Sequence, residues 1–149
     1  MKTNDPMKLM LKAFGEILIS PKGASMRPYL CEKRDKVLVL PATEKLKKYD
    51  IVLYKNSGIY VLHRILEIND FEYIICGDNN AYIEHIQKDD IIGVASEIYR
   101  KSGRTVMPLG RVGKLWVYIW YELKLKKAVM KLKAFAYKIR RKVKKYVGL

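Results

Sequence analysis

The sequence predicts a mainly β domain, an antiparallel coiled sheet or partly open barrel, followed by a C-terminal basic amphipathic helical tail. Three observations predict it. From Lys36 to Ile98, short runs rich in β-branched and aromatic residues are separated by turn signals at close intervals. Beyond a break at Gly103 to Gly113, which contains Pro108, the apolar spacing changes from the strand period of about 2 to the helical period of about 3.6. The charge divides at the same place. Residues 1–100 hold 15 Lys/Arg and 14 Asp/Glu, whereas residues 101–149 hold 15 Lys/Arg and the single acid Glu122; the balances of +1 and +14 make up the net +15.

The elements follow in order. Asp5-Pro6 is a helix start, with Asp as N-cap and Pro at the first helical position, and the helix should run through Phe14. Glu16 to Ser20 reads as a brief strand. Pro21-Lys22-Gly23 is a turn that delivers Ala24-Ser25-Met26. Val37 to Leu40 is a short apolar strand ended by Pro41, and Ile51 to Tyr54 is another, opened by Asp50. Asn56-Ser57-Gly58 marks a hairpin into Ile59 to Ile68. Asn69-Asp70 turns the chain into Phe71 to Cys76, and Ile91 to Ile98 is a last strand. In the tail, Leu115, Trp116, Ile119, Trp120 and Leu123 share a helical face. So do Leu125, Ala128, Val129, Leu132, Ala136, Ile139, Val143 and Val147, with lysines and arginines opposite. Residues 1–107 thus form the body and 108–149 the tail.

Composition narrows the function classes. The chain has 149 residues, half of them hydrophobic, which suits one domain with a real core and excludes disorder as the default. Cys31 and Cys76 form no CxxC pair and have no histidine at ligand spacing, so a structural zinc site is not expected; two lone thiols suit a reducing compartment. No apolar run reaches the ~20 residues that cross a bilayer. Leu9 to Leu18 comes nearest and is interrupted by Lys12 and Glu16, with no small-x-small cleavage site after it. The expectation is a cytoplasmic protein with no cleaved signal peptide and no transmembrane helix.

Four residues could carry chemistry. Ser25 sits in Gly23-Ala24-Ser25-Met26-Arg27-Pro28, where Gly permits a tight turn, Ala leaves access and Pro fixes the exit. Most serines in such turns are turn residues and nothing more. His63 lies mid-strand in Val61-Leu62-His63-Arg64-Ile65, and histidine is the commonest general base near neutral pH. The other histidine, His85, lies in a polar connection between Glu84 and Lys88 and is the weaker candidate. Arg64 faces away from His63 and reads as solvated or salt-bridged. Gly77-Asp78-Asn79-Asn80 is good turn chemistry, and Asp78 could orient His63 as the acid does in a triad. Glu84 is a second candidate for that role.

Together these segments resemble the signal-peptidase superfamily, which includes the SOS-repressor peptidases. The likeness runs in order through the Ser25 turn, Arg34-Asp35-Lys36-Val37-Leu38-Val39, Tyr49-Asp50-Ile51-Val52-Leu53-Tyr54, the His63 strand, Cys76-Gly77-Asp78-Asn79-Asn80 and Ile91-Ile92-Gly93-Val94, covering roughly residues 16–98. His63-Arg64, in place of a lysine base, resembles the archaeal, endoplasmic-reticulum and spore branch. Relatives usually carry Gly where this chain has Tyr49, often Asp where it has Glu84, and an N-terminal membrane anchor that is not evident here. The resemblance implies the signal-peptidase core fold and a serine endopeptidase. Ser25 would be the nucleophile, His63 the base, and Asp78 or Glu84 the supporting acid. The Ser25 N–H and a neighbouring donor would hold the oxyanion. The substrate would be an extended leader peptide or preprotein, cleaved after a small residue, and no metal or organic cofactor is implied.

The tail adds a partner. Trp116, Tyr118, Trp120 and Tyr121 beside many lysines suit a helix lying on an anionic membrane more than one bound to nucleic acid, and the bland alternative is a helix packed on the body. A non-enzymatic module using the basic tail on lipid or nucleic acid is the competing function. A self-cleaving repressor ranks last, because no DNA-binding helix-turn-helix precedes Ser25.

Overall fold

The computed structural model describes residues 5–42 and 45–147, with side chains described through Lys145; Val147 of the predicted apolar face and the last two residues of the tail lie outside the described side chains. Asp5 caps helix α1 (Pro6–Phe14) by accepting from the N–H groups of Met7 and Lys8, and Gly15, in the left-handed conformation, ends it. Eight strands follow: β1 (Ile17–Ile19), β2 (Asp35–Pro41), β3 (Ile51–Asn56), β4 (Ile59–Ile68), β5 (Glu72–Cys76), β6 (Glu84–Gln87), β7 (Ile91–Arg100) and β8 (Thr105–Val106). They form one antiparallel sheet in the order β1-β2-β7-β3-β4-β5-β6, with β8 paired to β7. The sheet is open, as the predicted partly open form allows, and the helical tail follows it: α2 (Arg111–Val117), a π-helical turn over Tyr118–Glu122, and α3 (Leu125–Val147).

The β3–β4 hairpin is a two-residue loop. Asn56 pairs with Ile59, and Ser57 and Gly58 both have positive φ, the backbone that a tight right-twisted hairpin demands. The continuous apolar run of β3 is explained by burial on both faces. Ile51 and Leu53 enter one core with Leu11, Met26, Leu30, Val37 and Val39; Val52 and Tyr54 enter a second with Ile65, Tyr73 and Ile75. His63 pairs with Val52 and Arg64 with Ile51, so the two basic side chains leave β4 on opposite faces.

Two short strands were not legible. His85 belongs to edge strand β6, paired to β5 through Glu72↔Gln87 to Ile75↔Glu84, and not to a polar connection. β8 lies inside the predicted break. Both are brief and half exposed, so neither carries a clear apolar alternation.

Candidate active site

The site is assembled from four segments: the turn after β1, the middle of β4, the β5–β6 connection, and the start of β6. His63 is buried at 4% exposure. Its Nδ1 lies 2.9 Å from the Tyr54 hydroxyl and 2.9 Å from Glu84 Oε1. The hydroxyl has hydrogen-bond geometry, and the carboxylate lies within ion-pairing distance of a protonated ring. An anion beside Nδ1 favours the tautomer with its proton there, which leaves Nε2 a bare lone pair. Nε2 is buried and has no hydrogen-bond partner among the described residues. Burial pushes the His63 pKa below its usual 6.5, and the Glu84 carboxylate only partly offsets this, so the imidazole is held neutral. The Tyr54 phenol is pushed far up, chiefly by burial and then by its hydrogen bond to Glu84, and stays protonated.

The Ser25 carbonyl oxygen and His63 Nε2 both lie against Gly77. A Cβ placed on Gly77 would sit 2.6 Å from the Ser25 carbonyl oxygen and 2.9 Å from His63 Nε2. The Ser25 peptide and the imidazole therefore share one wall, the Gly77 backbone. The Asn79 N–H donates to the Ser25 carbonyl at 2.7 Å, and Asn79 Nδ2 donates to the Ala24 carbonyl at 3.0 Å, which locks the turn against the β5–β6 connection. No hydrogen bond joins Ser25 Oγ to Nε2 in this state. The half-buried Ser25 instead lines an apolar cleft of about 580 Å³ with Ile19, Met26, Leu53, Tyr60 and Leu62. That cleft runs between two open strand flanks. Among the described residues β1 pairs only with β2, and β4 gains β5 as a neighbour only from Arg64 onward.

The two acids separate. Glu84 stands at His63 Nδ1 and also accepts from Asn56 Nδ2 at 2.7 Å. Asp78 makes no direct contact with the imidazole. It receives Arg64 in a bidentate pair, Nε at 2.9 Å and Nη2 at 3.0 Å, both side chains being fully buried. Arg64 also donates to the Tyr49 carbonyl at 3.0 Å and lies over the Tyr29 ring. The expectation of a solvated Arg64 is thus corrected in favour of its salt-bridged alternative. The Arg64 face of β4 is covered by Tyr29 and, through Asp78, by Trp116 and Tyr121 of the tail. His85, the residue after Glu84 in β6, is exposed and pairs with Glu72.

The tail aromatics are the larger correction. Trp116 Nε1 donates to Asp78 Oδ2 at 3.0 Å, Tyr121 Oη to Asp78 Oδ1 at 2.5 Å, and Trp120 Nε1 to the Asp78 carbonyl at 2.9 Å. Trp116 stacks between Tyr29 and Trp120. Three of the four aromatics assigned to a membrane interface are therefore docked on the body, and only Tyr118 remains exposed. Their spacing could not distinguish the two, because a protein face and a lipid face select the same apolar stripe.

Tyr49 belongs to this docking. It has φ of +75°, a backbone unfavourable for any residue but Gly, Asn or Asp by about 1–2 kcal/mol. Its ring meets Tyr121 at 5.6 Å between centroids and its hydroxyl donates to Glu122, the tail's one acid. The side chain thus contributes contacts to the tail that glycine would lack. No protein-family model and no curated protein matches this chain.

Proposed function

We propose that the protein is a serine endopeptidase of the signal-peptidase type that cleaves leader or signal peptides through an acyl-enzyme. One observation carries this reading: a buried, neutral imidazole has its Nδ1 side held by Glu84 and Tyr54, and its unpartnered Nε2 lies against Gly77, the residue that the Ser25 carbonyl also meets. A core histidine kept for packing would have that nitrogen bonded, because an orphaned buried polar atom costs free energy. A general base needs the lone pair free.

In this reading Nε2 takes the Ser25 hydroxyl proton as Oγ attacks the scissile carbonyl carbon. The tetrahedral oxyanion collapses with loss of the amine, to which His63 returns the proton. Water, deprotonated by the same nitrogen, then hydrolyses the Ser25 ester to a carboxylate and restores the hydroxyl. Glu84 balances the imidazolium. The Ser25 N–H makes no backbone hydrogen bond among the described residues, which suits an oxyanion donor. A peptide laid in the Ser25 cleft as an added strand would meet the open flanks of β1 and β4. Asp78 acts at one remove, holding Arg64 and the connection that carries Gly77.

The test is cleavage of an extended-peptide library, read by mass spectrometry, with Ser25→Ala, His63→Ala and Glu84→Gln beside the wild type. Loss of the general base or nucleophile should abolish turnover, and Glu84→Gln should lower kcat by about 10²–10⁴-fold. Cleavage that survives Ser25→Ala removes the serine mechanism, and a wild type that cleaves no peptide leaves the competing binding module.

The proposed place of work is a cytoplasmic, peripheral position on an anionic membrane. No helix of the described residues is long and apolar enough to cross a bilayer. α3, however, has no acidic residue and exposes Leu132, Phe135, Ile139 and Val143 beside its lysines and arginines. Such a face suits anionic lipid, and its charge opposes pairing with a second copy. Flotation with phosphatidylglycerol vesicles should carry the full chain but not one lacking residues 125–149. Equal flotation of both would remove the lipid role from α3.

A further inference from the structure

The tail touches the candidate site at a point that its aromatics do not explain. Lys126, in the first turn of α3, reaches back 49 residues to donate to the Gly77 carbonyl at 2.8 Å, with its Nζ 3.1 Å from Cys76 Sγ. Seven residues on, Lys133 donates to Asn79 Oδ1. Gly77 lies against the Ser25 carbonyl and His63, and the Asn79 N–H bonds the Ser25 carbonyl. The connection therefore has the serine and imidazole on one side and α3 on the other.

We infer that Lys126 is a positioning residue of the Ser25–His63 site, holding through the Gly77 carbonyl the wall against which the serine turn and the imidazole are set. This deepens the peptidase reading and rests on it. Three features make the contact more than an incidental surface bond. Gly77 has no slack, since even a methyl group would fall within 3 Å of both the Ser25 carbonyl and Nε2. The start of α3 is fixed on the body, because Trp120 and Tyr121 bond Asp78 immediately before it and Lys124, with φ of +57°, turns the chain into the helix. Among the described residues the Gly77 carbonyl otherwise accepts only within its own turn, from the Asn80 N–H and weakly from the Cys76 thiol, so Lys126 is its tie to a distant element. A shift of about 1 Å in such a wall can cost on the order of 10²-fold in rate.

Lys126 is also a charge near the base. Tyr54 from β3 and Glu84 from β6 meet His63 directly, and Asp78 from the connection and Lys126 from α3 act on it through space. Removal of the ammonium removes a cation that disfavours the imidazolium, so His63 should titrate at higher pH. A bond that served stability alone would not move that titration.

The experiment uses the full chain with Lys126→Met and Lys126→Arg. Three quantities are read: stability in urea, the ¹⁵N chemical shifts of the His63 ring and the Gly77 and Asn79 amides against pH, and kcat/KM on the library peptide that the wild type cleaves best. Lys126→Met should lower kcat/KM by about 10–100-fold. It should displace both amides and move the His63 titration and the acid limb of activity to higher pH. Lys126→Arg should restore most of each. Unmoved amides and an unmoved His63 titration in Lys126→Met would overturn the inference, whatever happens to stability. A wild type whose cleavage survives Ser25→Ala would instead overturn the peptidase reading, and the NMR shifts would still decide whether Lys126 sets this wall.

Discussion

Asp78→Asn is the perturbation whose cost the structure fixes most closely. The carboxylate is fully buried and receives four donors: Arg64 Nε and Nη2, Trp116 Nε1 and Tyr121 Oη. Asparagine keeps the shape but loses the charge, and its amide presents hydrogen atoms where at least one donor already points. Arg64, with 0% exposure, is left as an uncompensated buried cation. Breaking such a pair costs about 3–5 kcal/mol. For a chain of this length each kcal/mol lowers Tm by about 2–4 °C, so Asp78→Asn should melt about 6–20 °C lower. Urea unfolding followed by far-UV circular dichroism gives the free energy. Emission from the two tryptophans, Trp116 and Trp120, gives the docking of the tail, since both bond Asp78. Native-state emission should shift to the red in the variant. Replacing both members, Arg64→Met with Asp78→Leu, removes the stranded charge and should cost less than Asp78→Asn alone. A loss below about 1 kcal/mol in Asp78→Asn, or a double replacement as costly as its two singles combined, would refute the buried-pair argument.

Acid should act on stability through His63. Its folded pKa lies below the usual 6.5 because burial disfavours the cation, so the unfolded chain binds the proton first as pH falls. Stability is therefore full above about pH 6.5 and declines below it, by up to about 1.4 kcal/mol per pH unit, until the folded pKa is passed. His63→Gln should flatten that decline; an unchanged slope would show that another group governs the window. Asp35, whose carboxyl is held down by hydrogen bonds from Arg34 and Arg100 despite its burial, acts separately, below its usual 3.8. Gly77→Ala should retain the sheet by circular dichroism yet reduce peptide cleavage about 100-fold, because its methyl group would fall 2.6 Å from the Ser25 carbonyl and 2.9 Å from Nε2. Undiminished cleavage in that variant would mean the serine turn does not depend on this wall.

Much of the frame was legible because its signals are local. Asp5-Pro6, the Ser57-Gly58 hairpin and the strand alternation at His63-Arg64 each rest on neighbours a few residues away, and each has its expected form. The choice between Asp78 and Glu84 was not legible. Each follows β5 by a few residues, and only the return of β6 along β5, with Glu84 opposite Ile75, brings the second acid to the imidazole. The solvated alternative for Arg64 failed for a related reason. Charged side chains are seldom fully buried without a partner, and its partner lies 14 residues away across a turn.

By itself the sequence determined the alternation that makes most of the strands, the turn around Ser25, the two faces of β4 and the concentration of positive charge in one segment. These depend on backbone preference and on the period of side chains along a chain, which act at short range. Tertiary structure decided which acid meets His63, where Arg64 is neutralised, and that Trp116, Trp120, Tyr121 and Lys126 bond the Gly77–Asp78 connection. Those outcomes depend on distances between segments far apart in the chain, and an amphipathic pattern specifies that a face must be covered without specifying what covers it.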